Sequence, residues 1–173
     1  MSRLHTSRLY LEPLKAAHAP LLFEPLQHAD LYRFTPNAPP SLEALQRRYA
    51  FLEGASSPDG QERWLNWVLF EREGDAAVGT VEATVRQRGD ADIAYLIFPG
   101  HWRQGLASEA GAAVLEHLRV QHGVRRFGAD IDARNTASIA LVQRLGFERV
   151  LFTPNADFFR GETSHEVRYE LRS

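Results

Sequence analysis

Apolar residues along this chain recur at helical spacing in four stretches, and at strand spacing or as short unbroken runs elsewhere. Ser41 to Gly54 carries Leu42, Leu45, Tyr49 and Leu52 on one stripe, the pattern of a helix with one face on a core. Ser41 suits the cap position, and Glu43 puts negative charge in the first turn, where the helix dipole favours it. Ala16 to Asp30 also reads as helical. From Gly105 a stripe runs through Leu106, Ala110, Ala113, Val114 and Leu118, and Gly123 after His122 is a stop signal. Asn135 to Leu145 turns Ile139, Val142 and Leu145 inward and stops at Gly146, with Phe147 able to fold back on the last turn.

Strand signals fill the remainder. Leu4 to Leu14 reads as an extended segment around Leu9 and Leu11, and Pro13 disfavours a central ladder position after Glu12. Arg63 to Glu73 alternates, with Trp64, Asn66 and Val68 on one face and Leu65, Trp67 and Leu69 on the other. Gly74-Asp75 is a hairpin turn signal. Val78 to Arg88 is the next strand, and Arg88-Gly-Asp90 a second turn. Ile93 to Phe98 is a nearly continuous apolar run, expected to be buried on both faces and stopped by Pro99-Gly100. Arg125 to Asp132, Phe147 to Phe152 and His165 to Arg172 complete the set. Two loops interrupt it: the proline-broken Phe34 to Pro40, and the polar and aromatic Thr153 to Thr163.

The order is strand, two helices, three antiparallel strands, helix, strand, helix, two strands. It predicts an α/β fold of the α+β type, a mixed sheet covered by helices. The strand–helix–strand unit from Ile93 to Asp132 implies a right-handed crossover and parallel neighbours. A chain of 173 residues with no repeat or linker suits one domain, 1–173. The net charge of −2 gives no footing for general nucleic-acid binding. The absence of cysteine removes disulfides, thiolate metal sites and a cysteine nucleophile. The seven histidines show no metal spacing, so no metal is expected. Without a membrane span or signal peptide, a cytoplasmic protein is expected, with no membrane partner.

Chemistry concentrates where the Ile93 strand meets the Gly105 helix. The first amides of a helix lack intrahelical partners and carry partial positive charge. Gly105 and Ala107 would let another molecule approach that backbone closely, and a phosphate or pyrophosphate is the natural guest. Arg103 and Gln104 could add donors. An ordinary strand-to-helix turn explains the same residues. The loop is not a P-loop, since no Gly-Lys-Ser/Thr follows, and it lacks the dinucleotide Gly-x-Gly-x-x-Gly.

Trp102-Arg103-Gln104-Gly105-Leu106-Ala107 resembles the acetyl-CoA pyrophosphate loop of the GNAT superfamily of N-acetyltransferases, Arg/Gln-x-x-Gly-x-Gly/Ala, with Trp102 in the first position. The longer Trp-x-x-Gly-x-Ala-x-Glu-Ala, 102–110, and Thr-x-Arg-Leu-x-Leu-x-Pro-Leu, 6–14, resemble the branch of the ribosomal-protein acetyltransferases RimJ and RimL. The resemblance covers essentially the full length. It implies a GNAT acyl-CoA N-acyltransferase fold, a mostly antiparallel sheet with one splayed strand pair flanked by helices. It also implies a bulge in the strand before the loop, and an acceptor cleft walled by the first two helices and their connection.

The same resemblance implies site residues. The backbone of Leu96, Ile97 and Phe98 would meet pantetheine, with an amide near Ile97 holding the thioester oxygen. The loop Trp102, Arg103, Gln104, Gly105, Leu106, Ala107 and Ser108 would meet pyrophosphate. Asn135-x-x-Ser138 before Arg144-Leu-Gly-Phe147 resembles the second cofactor motif, the asparagine on pantetheine and the serine near sulfur; as a plain helix cap Asn135 is equally well explained. Many relatives carry a tyrosine acid four residues before that glycine. Here the position is Val142, which leaves Ser138 as the candidate. Asp92 and Glu82 are the candidate bases for the amine proton, with His165 and Glu166 further along; each could instead be a surface ion-pair residue.

These features predict transfer of acetyl from acetyl-CoA to a primary amine, a protein N-terminus or a small molecule, by direct attack in a ternary complex. The chain is expected to be a monomer or homodimer. The rival expectations are a non-catalytic acyl-CoA sensor and a nucleotide-phosphate-binding module of unrelated fold.

Overall fold

A computed structural model describes residues 2–172 of the chain. Eight strands form one sheet: β1 (Leu4–His5), β2 (Leu9–Pro13), β3 (Glu62–Glu71), β4 (Ala77–Arg86), β5 (Asp90–Ile97), β6 (Arg126–Asp132), β7 (Glu148–Phe159) and β8 (Glu162–Arg172). Their order is β1-β2-β3-β4-β5-β6-β8-β7. Every adjacent pair is antiparallel except β5 and β6. That parallel pair is joined by α3 (Leu106–His122), as a crossover requires. The other α-helices are α1 (Ala19–Phe23), α2 (Leu42–Glu53) and α4 (Thr136–Arg144).

Strand alternation sorts side chains onto two faces. Leu65, Trp67 and Leu69 of β3 join Val81, Ala83, Phe127 and Ile131 in a core cluster closed by Leu106, Val114 and Leu118 of α3 and Val142 of α4. Val68 and Phe70 point the opposite way, against Ala19 and Leu22 of α1 and Leu45 and Tyr49 of α2. No residue of β6, β7 or β8 belongs to that second cluster, so α1 and α2 cover only part of the sheet and leave a face open beside them. Ser41 caps α2 by accepting from the Ala44 amide at 3.2 Å.

Several expectations are corrected. Leu4 to Leu14 is a small hairpin of two strands, turned at Thr6, whose hydroxyl accepts from the Leu9 amide. Ala16 to Asp30 is not one helix. It breaks into 3₁₀ turns at Ala16–His18, Pro25–Gln27 and Ala29–Tyr32 around the five residues of α1, because Pro20 and Pro25 supply no amide and each permits only a fresh start. The segment 153–163 is mostly strand: β7 and β8 run on to a tight turn at Arg160-Gly161, with register shifts between Arg149 and Leu151 and between Thr153 and Asp157. In the Ile93–Phe98 run, Ile93, Ile97 and Phe98 are buried but Ala94 is exposed, because it faces the open part of the sheet. On α3, Gly111 and Leu115 are buried while Ala113 is only half-buried.

Candidate active site

β5 and β6 pair in register only from Asp90 with Arg126 to Asp92 with Gly128. Beyond that point β5 follows β4 and β6 follows β8, so the two strands part. Gly128 sits at the apex for a steric reason. A Cβ there would collide with the Arg168 guanidinium and the Asp92 carboxylate. Its absence lets Arg168 of β8 reach across β6 and bond Asp92 of β5 at 2.5 Å. Arg86 holds the other oxygen of Asp92 at 2.7 Å. Asp92 is therefore a brace where the strands separate.

No bulge marks β5, whose register with β4 is unbroken from Ala91 to Ile97; the splay alone opens the gap. The Phe98 amide bonds back to the Val78 carbonyl at 2.9 Å. Amides alternate sides along a strand, so the Ile97 amide faces the opening. Across it, the Tyr95 hydroxyl donates to the Ser138 carbonyl in the first turn of α4 at 3.1 Å. Burial pushes the Tyr95 phenol up to about 12, so it stays a donor.

A cavity of about 860 Å³ occupies this opening. Tyr95, Leu96 and Ile97 form one wall, and Arg134 to Ser138, Leu141 and Arg144 another. One end reaches the start of α3 through Trp102, Arg103, Gly105, Leu106, Ala107 and Ser108. Arg103 and Gly105 both have left-handed backbone, φ 61 and 77, and no side chain caps the helix. Its first amides are thus left for an outside acceptor. Trp102 folds over the strand end, its indole N–H donating to the Ile97 carbonyl at 2.6 Å. Asn135 caps α4 by accepting from the Ser138 amide at 3.1 Å and also lines the cavity.

The loop is braced from the N-terminal hairpin. The Arg8 guanidinium donates to the Gln104 carbonyl at 2.8 Å and to Glu109 at 2.7 Å. Glu109 also accepts from Thr6, Ser7 and the Arg8 amide. Burial works against its charge, but these donors win and hold its carboxyl down at about 2.

The structure brings most of the expected residues together, but not all. Phe98 lies in the second core cluster. The Gln104 side chain turns back to the Gly100 carbonyl. Neither lines the cavity, nor do Asp92 and Glu82. Glu82 stands opposite Ala94 on the open floor, its ion-pair partner Arg48 at 3.6 Å. Sequence reading missed Tyr95, Arg134 and Arg144 as lining residues; Arg144 lies inside the Leu-Gly-Phe motif region and donates to Ser108 at 3.3 Å. It placed the α1–α2 connection at the cleft only by resemblance; Asp30, Leu31, Arg33, Phe34 and Thr35 do line the cavity.

Comparison with known proteins agrees with this geometry. Residues 8–148 match the acetyltransferase (GNAT) domain. The [ribosomal protein bS18]-alanine N-acetyltransferase of Escherichia coli is 31% identical over 126 residues, 70% of this chain and 81% of that protein. The N-acetyltransferase YoaA of Bacillus subtilis is 26% identical over 148 residues, 84% of this chain and 82% of that one. The RimL ribosomal L7/L12 alpha-N-protein acetyltransferase, solved with coenzyme A, superposes with a TM-score of 0.86 over 99% of this chain and 98% of its own, at 18% identity. An acetyltransferase of the same family from Bacillus anthracis superposes at 0.85 over 99% of this chain and 98% of its own, at 17% identity. The fold, the splayed strands opening at an uncapped helix start, and a family match over most of the length lead to one conclusion: the chain belongs to the GNAT family of N-acetyltransferases.

Proposed function

We propose that this protein transfers the acetyl group of acetyl-CoA to a primary amine, within a complex that holds both substrates. The observation that carries the reading is the opening between β5 and β6, which runs from the uncapped start of α3 to the Ile97 amide and Ser138. A phosphate-bearing thioester fits its charge: Arg103, Arg134 and Arg144 line the walls, and the α3 amides supply the anion site.

On this reading each residue takes a role that its position supports. Gly105, Leu106, Ala107 and Ser108 take the pyrophosphate through backbone amides, with Trp102 and Arg103 flanking it. Asn135 and the Leu96–Ile97 backbone hold the pantetheine arm. The Ile97 N–H meets the negative charge that develops on the thioester oxygen as the amine attacks, where a preorganised donor is worth most. The Ser138 hydroxyl donates to the sulfur as the carbon–sulfur bond breaks. Glu82, on the open floor and held by a single longer ion pair, takes the proton of the attacking amine through water. Asp92, braced by two guanidiniums, keeps the strands in place instead.

The acceptor we favour is a protein N-terminal α-amine, supported by the alanine N-acetyltransferase that this chain resembles at 31% identity. The test is thiol release from acetyl-CoA across a panel of peptides beginning with alanine or serine, free amino acids and polyamines, paired with calorimetric titration of acetyl-CoA and of ATP. We expect acetyl-CoA binding and thiol release that needs an amine. Binding without release for any amine would mark a sensor, and binding of ATP alone would mark a nucleotide module.

A further inference from the structure

The β7–β8 turn reaches back across the molecule to the connection between α1 and α2. Arg160 sits at that turn with left-handed backbone, φ 54, beside Gly161 at φ 77. Its guanidinium donates Nε to the Tyr32 carbonyl at 3.0 Å, and Nη2 to the Asn37 carbonyl at 2.6 Å and the Thr35 carbonyl at 3.5 Å. These carbonyls bracket the stretch that puts Arg33, Phe34 and Thr35 on the cavity wall. A planar fork of donors with no acceptor suits several carbonyls at once.

A second tie lies beside the first. The Arg134 guanidinium lies 6.0 Å from the Phe34 ring centroid and 5.6 Å from that of Phe159, near enough for the ring quadrupoles to attract it. Asp132 and Glu162 pair with Arg134 and fix it there. The 33–40 stretch has little regular structure of its own and contains Pro36, Pro39 and Pro40, so its place depends on such outside contacts.

We propose that Arg160 is a positioning residue for the acceptor: it pins the 32–37 segment as the roof of the cavity mouth and so determines which amines reach the thioester, without touching either substrate. The acceptor part rests on the transferase reading above. The pyrophosphate loop is braced separately, by Arg8 and Glu109, so the clamp governs one substrate and not the other.

The test compares wild-type protein with Arg160→Ala and the milder Arg160→Lys. In Arg160→Ala, amide exchange should quicken across residues 31–37 and stay unchanged in α3 and β5. The acceptor KM should rise about fivefold or more, with kcat and the acetyl-CoA Kd within about twofold. Arg160→Lys keeps charge but loses the fork, and should fall between the two. Unchanged exchange at 31–37 overturns the clamp. An unchanged acceptor KM, or equal losses for both substrates, overturns the acceptor role. If wild-type protein releases no thiol with any amine, the transferase reading and the acceptor role fall together, while the exchange data still decide the clamp.

Discussion

Glu109 shows how one side chain joins a loop to the rest of the molecule. Its donors are Thr6, Ser7 and Arg8, on a hairpin about a hundred positions away in sequence. The folded carboxyl lies near 2, below its ordinary 4.5. A group depressed on folding contributes stability above its unfolded value, and that contribution fades as pH falls from 4.5 toward 2. Glu109→Gln should cost about 1–3 kcal/mol at neutral pH and progressively less toward about pH 3, as urea unfolding at the two pH values would show. Asn135 separates two roles in the same way. Asn135→Asp retains the oxygen that caps α4 but brings negative charge to the cavity. Stability should hold while acetyl-CoA affinity drops about tenfold, or about 1.4 kcal/mol, read by calorimetry. Glu109 was visible in the sequence as a letter of the loop motif; its work was not, because its partners come from another element.

At the scale of elements, the distance between β4 and β5 matters most. Gly79 of β4 lies opposite Ile97, and a Cβ there would run into the Leu96 carbonyl oxygen. Because that obstacle is backbone, relief means moving β5 at the point where the Ile97 amide faces the opening. Gly79→Ala should therefore cost about 1–3 kcal/mol of stability and weaken acetyl-CoA binding further than Asn135→Asp does; denaturant unfolding together with titration checks both. Where local chemistry decides an element, the sequence reading survives: α2 starts at its Ser41 cap and α3 ends at Gly123 with φ 64. Where pairing decides it, the reading falls short: Phe147 to Phe152 is legible as a strand, but the continuation of β7 to Phe159 is not. β7 shows no alternation and is exposed along almost its whole length, and only its ladder with β8 makes it a strand.

For the molecule as a whole, the absence of cysteine and the convergence of both cavity ends on one opening argue for direct transfer. Initial rates with both substrates varied should give intersecting lines. Parallel lines, or an acetylated protein seen by mass spectrometry before any amine is added, would exclude the direct route. The α3 start and the 30–35 segment line the same cavity, so on the proposed function neither substrate would need to leave before the other arrives.

Local signals in the chain were enough for the helix stripes, the strand alternation, the order of elements from α2 onward and the loop that opens α3, because each rests on neighbours within a few residues. Only the folded chain reveals what Asp92 touches. That it is an acidic residue at the start of the Ile93 strand was legible, yet it lies inside β5, and only the packing of β8 against β6 over Gly128 brings Arg168 to it and makes it a brace. The same holds for Phe98, whose amide is spent on Val78, and for Arg160, whose carbonyl partners lie more than 120 positions away. Periodicity records which face a side chain occupies. It carries no record of which distant group will be folded against that face, since that depends on how strands separated in sequence are ordered in the sheet.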